Sequence, residues 1–144
     1  MHPYPHTYRA TASAGTTGTV TVSSAGLPDL TTAPPPEFDG PGGLWSPETM
    51  LCAAISDCFV LTFRAVARAS KFEWTSLDCQ VEGVLERAEG GARFTRYVTR
   101  ATLHAPAGVD RARATQLLEK AEHGCLVSAS LNGLRELSCE IVEG

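Results

Sequence analysis

Five cysteines, at positions 52, 58, 79, 125 and 139, offer the most distinctive chemistry in this 144-residue sequence. A thiol acts as a nucleophile or metal ligand only as its thiolate, which forms near neutral pH where positive charge or hydrogen-bond donors surround the sulfur. The count is odd and no two cysteines stand at Cys-x-x-Cys spacing. A dense disulfide framework of the secreted kind is therefore not expected. A zinc site would have to gather scattered ligands around His123-Gly124-Cys125, the one close His/Cys pair, and none is assigned.

Cys58 lies in the apolar run Ile55-Ser56-Asp57-Cys58-Phe59-Val60-Leu61, where a cysteine is ordinarily a small core residue. Cys125 follows His123 and Gly124, where the backbone can turn sharply and carry a side chain inward. Cys52 precedes Cys58 by six residues, about 600° around a helix, and so faces elsewhere. Cys79 and Cys139 occupy apolar strand positions. These three are read as core residues without a chemical role. Glu48 sits at the start of the helix that carries Cys58, where a carboxylate is favoured by the helix dipole alone.

The elements that must position these residues follow from pattern. Residues 7–24 read as a strand pair, Thr7 to Ala12 and Thr19 to Ser23, around a small-residue turn, and Leu27 to Thr32 adds a third short strand. Ala33 to Gly43 contains four prolines and three glycines and is expected to be irregular. Ser46-Pro47-Glu48 is a helix start: a capping hydroxyl, a proline suited to the first helical position, and an acid in the first turn. The helix runs to about Ser70 with no Pro or Gly inside it. Its residues Leu51, Ala54, Ile55, Cys58, Phe59, Leu61, Thr62 and Phe63 cover more than one face, which predicts a largely buried central helix. Leu77 to Arg87 and Phe94 to Ala105 alternate as a hairpin. Asp110 caps a second helix ending at His123-Gly124, Cys125 to Leu131 forms a short helix or turn, and Leu134 to Val142 is a closing strand. The expected architecture is a single α+β domain over residues 1–144, with helices packed on antiparallel sheet.

Hydrophobic residues make up 43% of the chain and charged residues 19%, and the net charge is −4. That is a globular composition without the basic stripe a nucleic-acid partner would require. The opening Met1-His2-Pro3-Tyr4-Pro5-His6 has neither a basic start nor an apolar run, so no signal peptide is expected. The longest apolar stretch, Cys52 to Phe63, falls short of the roughly 20 residues of a membrane span. A cytosolic protein with no membrane or nucleic-acid partner is the expectation.

Taken together, Ser46-Pro47-Glu48 opening a long helix, Cys58 ten residues after Glu48, and the run Glu119-Lys-Ala-Glu-His-Gly-Cys125-Leu-Val-Ser-Ala-Ser-Leu resemble the OsmC/Ohr family of hydroperoxide-reducing proteins. The resemblance extends over nearly the whole chain. It implies an OsmC-like fold, antiparallel sheets with a long central buried helix, and an intertwined homodimer with active sites at the subunit interface. It implies a thiol-dependent peroxidase in which Cys58 attacks the hydroperoxide and Cys125 resolves the sulfenic acid as a disulfide. Glu48 matches the family glutamate that pairs with an arginine beside the reactive thiol. The implied reductant is an external dithiol such as a lipoyl group, with no bound cofactor. Leu44, Trp45, Met50, Phe59 and Phe63 are the candidates for an apolar pocket receiving organic hydroperoxides.

The sequence departs from the family at that arginine. In the Ohr branch it lies in the N-terminal hairpin turn, which reads Ala14-Gly15-Thr16-Thr17-Gly18 here, and no Arg or Lys occurs between Arg9 and Arg64. Arg9, Arg64 or His123 must take over the stabilisation of the thiolate for peroxidase chemistry to survive. The alternative is a catalytically weak or inactive member that binds a small apolar or thiol ligand in the same pocket.

Overall fold

The computed structural model describes all of residues 1–144, which divide into two compact units, Met1–Met50 and Leu51–Gly144. The first unit is built on a three-stranded antiparallel sheet in the order β1 (Thr11–Ser13), β2 (Val20–Ser23), β3 (Leu30–Thr32). The first strand is shorter than its alternation suggested. β2 has four residues, and its pairing with β1 ends at Thr11 opposite Ser23, so Thr7 to Ala10 have no strand to pair with. Instead Tyr4 stacks on His6 with ring centres 4.6 Å apart, and Tyr8 meets His6 edge on.

The proline-rich segment contains one 3₁₀ turn, Pro36–Phe38, a regular piece that the composition did not suggest. Pro can occupy the first position of such a turn because the amide it lacks would be unpaired there. Gly40 closes the loop so tightly that an added Cβ would lie 1.7 Å from the Pro34 carbonyl oxygen. Trp45 then returns beside β3, its carbonyl accepting from the Ala33 amide at 3.0 Å.

Helix α1 (Pro47–Ala69) starts as its sequence implies. Ser46 Oγ accepts from the Thr49 amide at 3.1 Å, and Thr49 Oγ1 accepts from the Ser46 amide at 2.9 Å. This reciprocal cap satisfies two amides the helix cannot.

In the second unit, β4 (Ser76–Ala88) and β5 (Gly91–Ala105) form an antiparallel hairpin. Its tight turn needs positive φ, which Gly90 supplies at 86°. Helix α2 (Arg111–Gly124) is capped by Asp110, whose carboxylate accepts from the Arg113 amide. A four-residue helix α3 (Leu126–Ala129) follows, and β6 (Leu134–Glu143) completes the sheet in the order β4-β5-β6.

β6 runs parallel to β5, which corrects the expectation of wholly antiparallel sheet. The physical reason is the connection. The chain leaves the end of β5, travels back along α2 and α3, and re-enters the sheet in the same direction, as a parallel pair requires.

The inner face of this sheet presents Ala101 and Leu103 of β5 to Phe59, Phe63 and Ala67 of α1 and to Ala114, Leu117, Leu118 and Ala121 of α2. Phe63 also meets Trp74 edge to face at 5.2 Å. Each large side chain buried this way stabilises the fold by roughly 1.5–3 kcal/mol.

α1 buries one stripe only, Ile55, Phe59, Phe63 and Ala67, a second correction to the sequence reading. Sheet and α2 cover that stripe, while Ala54 and Leu61 on the other side stay exposed, Leu61 at 51%. By length and composition α1 would be long enough to cross a membrane, contrary to the estimate from Cys52 to Phe63 alone, because the helix extends beyond that run at both ends.

Candidate active site

Two thiols from distant parts of the sequence meet beside α1. Cys58 lies half-buried at mid-helix, one residue before the fully buried Phe59. One turn later, Thr62 donates its hydroxyl to the Cys58 carbonyl at 2.7 Å and stands 3.9 Å from the Cys58 sulfur. Cys125 occupies the joint between α2 and α3, where φ −68° and ψ 107° break the helical path. Gly124 lies against α1, where a Cβ would be in ordinary van der Waals contact with the Thr62 methyl at 3.4 Å. Cys125 is completely buried, with its sulfur 3.9 Å from the Ile55 carbonyl oxygen.

Because α3 begins at Leu126, its first amides have no partner within the helix. Those of Val127 and Leu126 favour the Cys58 thiolate. Burial pushes the Cys58 thiol up, yet the Val127 amide, the Cys125 thiol, the Thr62 hydroxyl and the Leu126 amide together outweigh it and hold Cys58 below its ordinary value. Cys125 moves the opposite way. Burial raises it, the Ser128 hydroxyl and amide pull it down, and the neighbouring Cys58 pushes it up again. The pair is therefore polarised, with Cys58 the more readily ionised thiol and Cys125 the less, and both cysteines are free rather than bridged.

Arg64 and His123 are exposed, and neither donates to either thiol. Arg9 is exposed in the first unit, its carbonyl accepting from Ser24 Oγ at 2.8 Å. Where the sequence reading called for a cation beside Cys58, the groups that favour its thiolate are the α3 amides, the Cys125 thiol and the Thr62 hydroxyl, none of them a cation. The same reading missed Thr62, Ser128 and Arg135. Ser128, three residues after Cys125 at helix-capping spacing, carried a legible signal. Arg135 carried none, because its approach depends on where β6 joins the sheet.

Glu48 stands ten residues before Cys58 in α1, about 15 Å of helical rise. It lines a cavity of about 420 Å³ in the first unit, walled by Val20, Val22, Pro35, Phe38, Pro47 and Met50 among others. One of its carboxylate oxygens, Oε1, is buried with no hydrogen-bond partner. The arginine partner that the family resemblance implies for Glu48 is not found at this oxygen.

Of the other expected pocket residues, Met50 lines that cavity, Leu44 and Trp45 are 43% and 48% exposed, and Phe59 and Phe63 are spent in the core of the second unit. The two phenylalanines fall on the one buried stripe of α1, which leaves them no open face.

The remaining cysteines are structural. Burial, with Glu122 and Cys125 nearby, pushes the Cys79 thiol up to about 12, and burial also raises Cys139. Cys52 packs on β4, where a Cβ at Gly83 would come within 3.0 Å of its sulfur.

Known proteins share this arrangement of elements. Residues 40–138 match the family described as OsmC-like protein. An uncharacterized protein of Bacillus subtilis, YmaD, is 31% identical over 74% of this chain and 73% of its own length. The peroxiredoxin OsmC of Escherichia coli is 28% identical over 65% of this chain and 64% of its own. The crystal structure of an organic hydroperoxide resistance protein OsmC from Legionella pneumophila superposes with a TM-score of 0.77 at 26% identity, over 97% of this chain and 99% of that one.

Proposed function

The chain belongs to the OsmC-like protein family, and from that premise we propose that it is a cytosolic thiol-dependent peroxidase that reduces organic hydroperoxides. The observation that carries this reading is the polarised thiol pair: Cys58 held by two amides of α3, with Cys125 at its side. The Cys58 thiolate attacks the terminal oxygen of the hydroperoxide, the O–O bond breaks, and the alkoxide leaves as alcohol after taking a proton. Cys58 is then a sulfenic acid. Cys125 gives up its proton and attacks that sulfur, forming the Cys58–Cys125 disulfide and releasing water. An external dithiol, of the lipoyl kind by family resemblance, exchanges with the disulfide and restores both thiols. No bound cofactor enters the cycle.

The arginine missing from the hairpin is replaced in this scheme by the amides of Leu126 and Val127, which stabilise an anion as they do at other helix starts. The working form is a homodimer, in which Glu48 reaches a thiol from a second copy, since its own lies about 15 Å along the helix.

Substoichiometric cumene hydroperoxide should convert two free thiols into one Cys58–Cys125 disulfide, identified by peptide mapping. If both stay free in folded protein, the peroxidase reading is lost.

The unpartnered Glu48 oxygen and its apolar cavity favour a second reading: a binding protein for a small apolar ligand whose head donates a hydrogen bond to that carboxylate. Thermal stabilisation by such a ligand, with no peroxide consumption, would select it.

A further inference from the structure

The chemistry proposed for Cys58 leaves open what controls Cys125, which must lose its proton at one step and depart as a thiolate at another. Arg135 on β6 reaches across to the α2–α3 joint. Its Nη1 donates to Ser128 Oγ at 3.2 Å and to the Glu122 carbonyl at 3.3 Å, and lies 3.6 Å from the Glu122 carboxylate. Ser128 is 2% exposed and Cys125 is fully buried. Ser128 Oγ donates to the Cys125 carbonyl at 3.4 Å, and the same hydroxyl favours the Cys125 thiolate. A hydroxyl has one proton to donate. With Arg135 donating to its oxygen, that proton serves the Cys125 carbonyl while the thiol is neutral and turns to the sulfur when the sulfur carries charge, and the guanidinium polarises the hydroxyl that gives it.

We propose that Arg135, acting through Ser128, is a positioning residue for Cys125, and that this relay sets the rate of the two steps in which Cys125 carries negative charge. The proposal rests on Cys58 and Cys125 being the reacting pair, as in the peroxidase reading. In the resolving step, Cys125 attacks oxidised Cys58. In the reductive step, a dithiol attacks the half-buried Cys58 sulfur rather than the buried Cys125, and Cys125 leaves as the thiolate that Ser128 receives. The first attack on peroxide uses Cys58 and its α3 amides and does not pass through Arg135. Of the titratable groups, Cys58 of α1 and Cys79 of β4 interact with Cys125, while Arg135 of β6 and His123 of α2 act on Glu122. Glu122 holds the guanidinium in place, and burial raises its own carboxyl against the opposing effects of Arg135 and His123.

A disulfide reagent separates the two steps without peroxide. With 5,5′-dithiobis(2-nitrobenzoate), Cys58 first displaces one thionitrobenzoate and carries the other as a mixed disulfide. Cys125 then displaces the second and closes the Cys58–Cys125 bond, with peptide mapping to assign each phase. In Arg135→Gln and in Ser128→Ala, the second phase should slow about tenfold and its pH midpoint should rise by about one unit, the loss expected for a hydrogen bond to a charged sulfur. In Arg135→Gln the first phase should keep its rate and midpoint, and Arg135→Lys should recover part of the second. A second-phase midpoint unmoved in both variants, or both phases shifted alike, would overturn the assignment. Should cumene hydroperoxide leave Cys58 untouched while the reagent gives these shifts, the peroxidase reading fails and the Arg135 relay stands.

Discussion

Cys58 and Cys79 show how the same side chain is made reactive or inert by what surrounds it. Both are partly buried, which disfavours a thiolate, but Cys58 receives two amides, a hydroxyl and a neighbouring thiol, whereas Cys79 faces Glu122 and Cys125. The reactive form exists above the thiol's pKa. A lowered value for Cys58 therefore brings its reactivity to lower pH than an ordinary cysteine, and a value near 12 keeps Cys79 protonated through the neutral range. Iodoacetamide labelling between pH 6 and 8, read by peptide mass, should modify Cys58 first and Cys79 last. The reverse order would remove the basis for assigning the nucleophile. Cys58→Ser should abolish hydroperoxide consumption, while Cys125→Ser should leave a Cys58 sulfenic acid that dimedone traps.

At the scale of elements, the site depends on how two helices begin. α1 is fastened by the reciprocal Ser46–Thr49 cap. Ser46→Ala should cost about 1 kcal/mol in urea denaturation, with the hairpin β4–β5 undisturbed. The loop before α1 tolerates less. Gly40→Ala would place a methyl 1.7 Å from the Pro34 oxygen, so the backbone must move, at a cost of at least about 1–3 kcal/mol. Equal stability of this variant and the parent would mean that Gly40 does not pack this closely on Pro34. The start of α3 matters for chemistry rather than stability. Cys125 interrupts the helical path at the place where two free amides are needed, and a continuous helix through residue 125 would satisfy those amides internally and leave Cys58 without them.

Across the whole molecule, the outward side of α1 presents Leu61, and Leu126 beside the thiol site is 70% exposed. Single exposed leucines are ordinary on protein surfaces. They gain meaning from the homodimer proposed above, in which this helix meets a second copy. Sedimentation should then give twice the 15.3 kDa chain mass, and Leu61→Glu should shift the species toward monomer and lower peroxide turnover together. A parent protein that sediments as one chain at every concentration would remove Glu48 from any shared site.

What the sequence determined by itself was local. Ser46, Pro47 and Asp110 marked helix starts, the alternation of Leu77 to Arg87 and Phe94 to Ala105 a hairpin, and the contexts of Cys58 and Cys125 the two thiols worth watching, because capping and side-chain periodicity act within a turn or two of the chain. The tertiary structure alone decided the parallel entry of β6, the single buried stripe of α1, the orphaned oxygen of Glu48, and the donors around each sulfur. Amides nearly seventy residues from Cys58, and an arginine on a strand paired by a crossover, reach the thiols only when the sheet and both helices close on one core. No spacing in the sequence encodes that approach, because packing across the fold sets it.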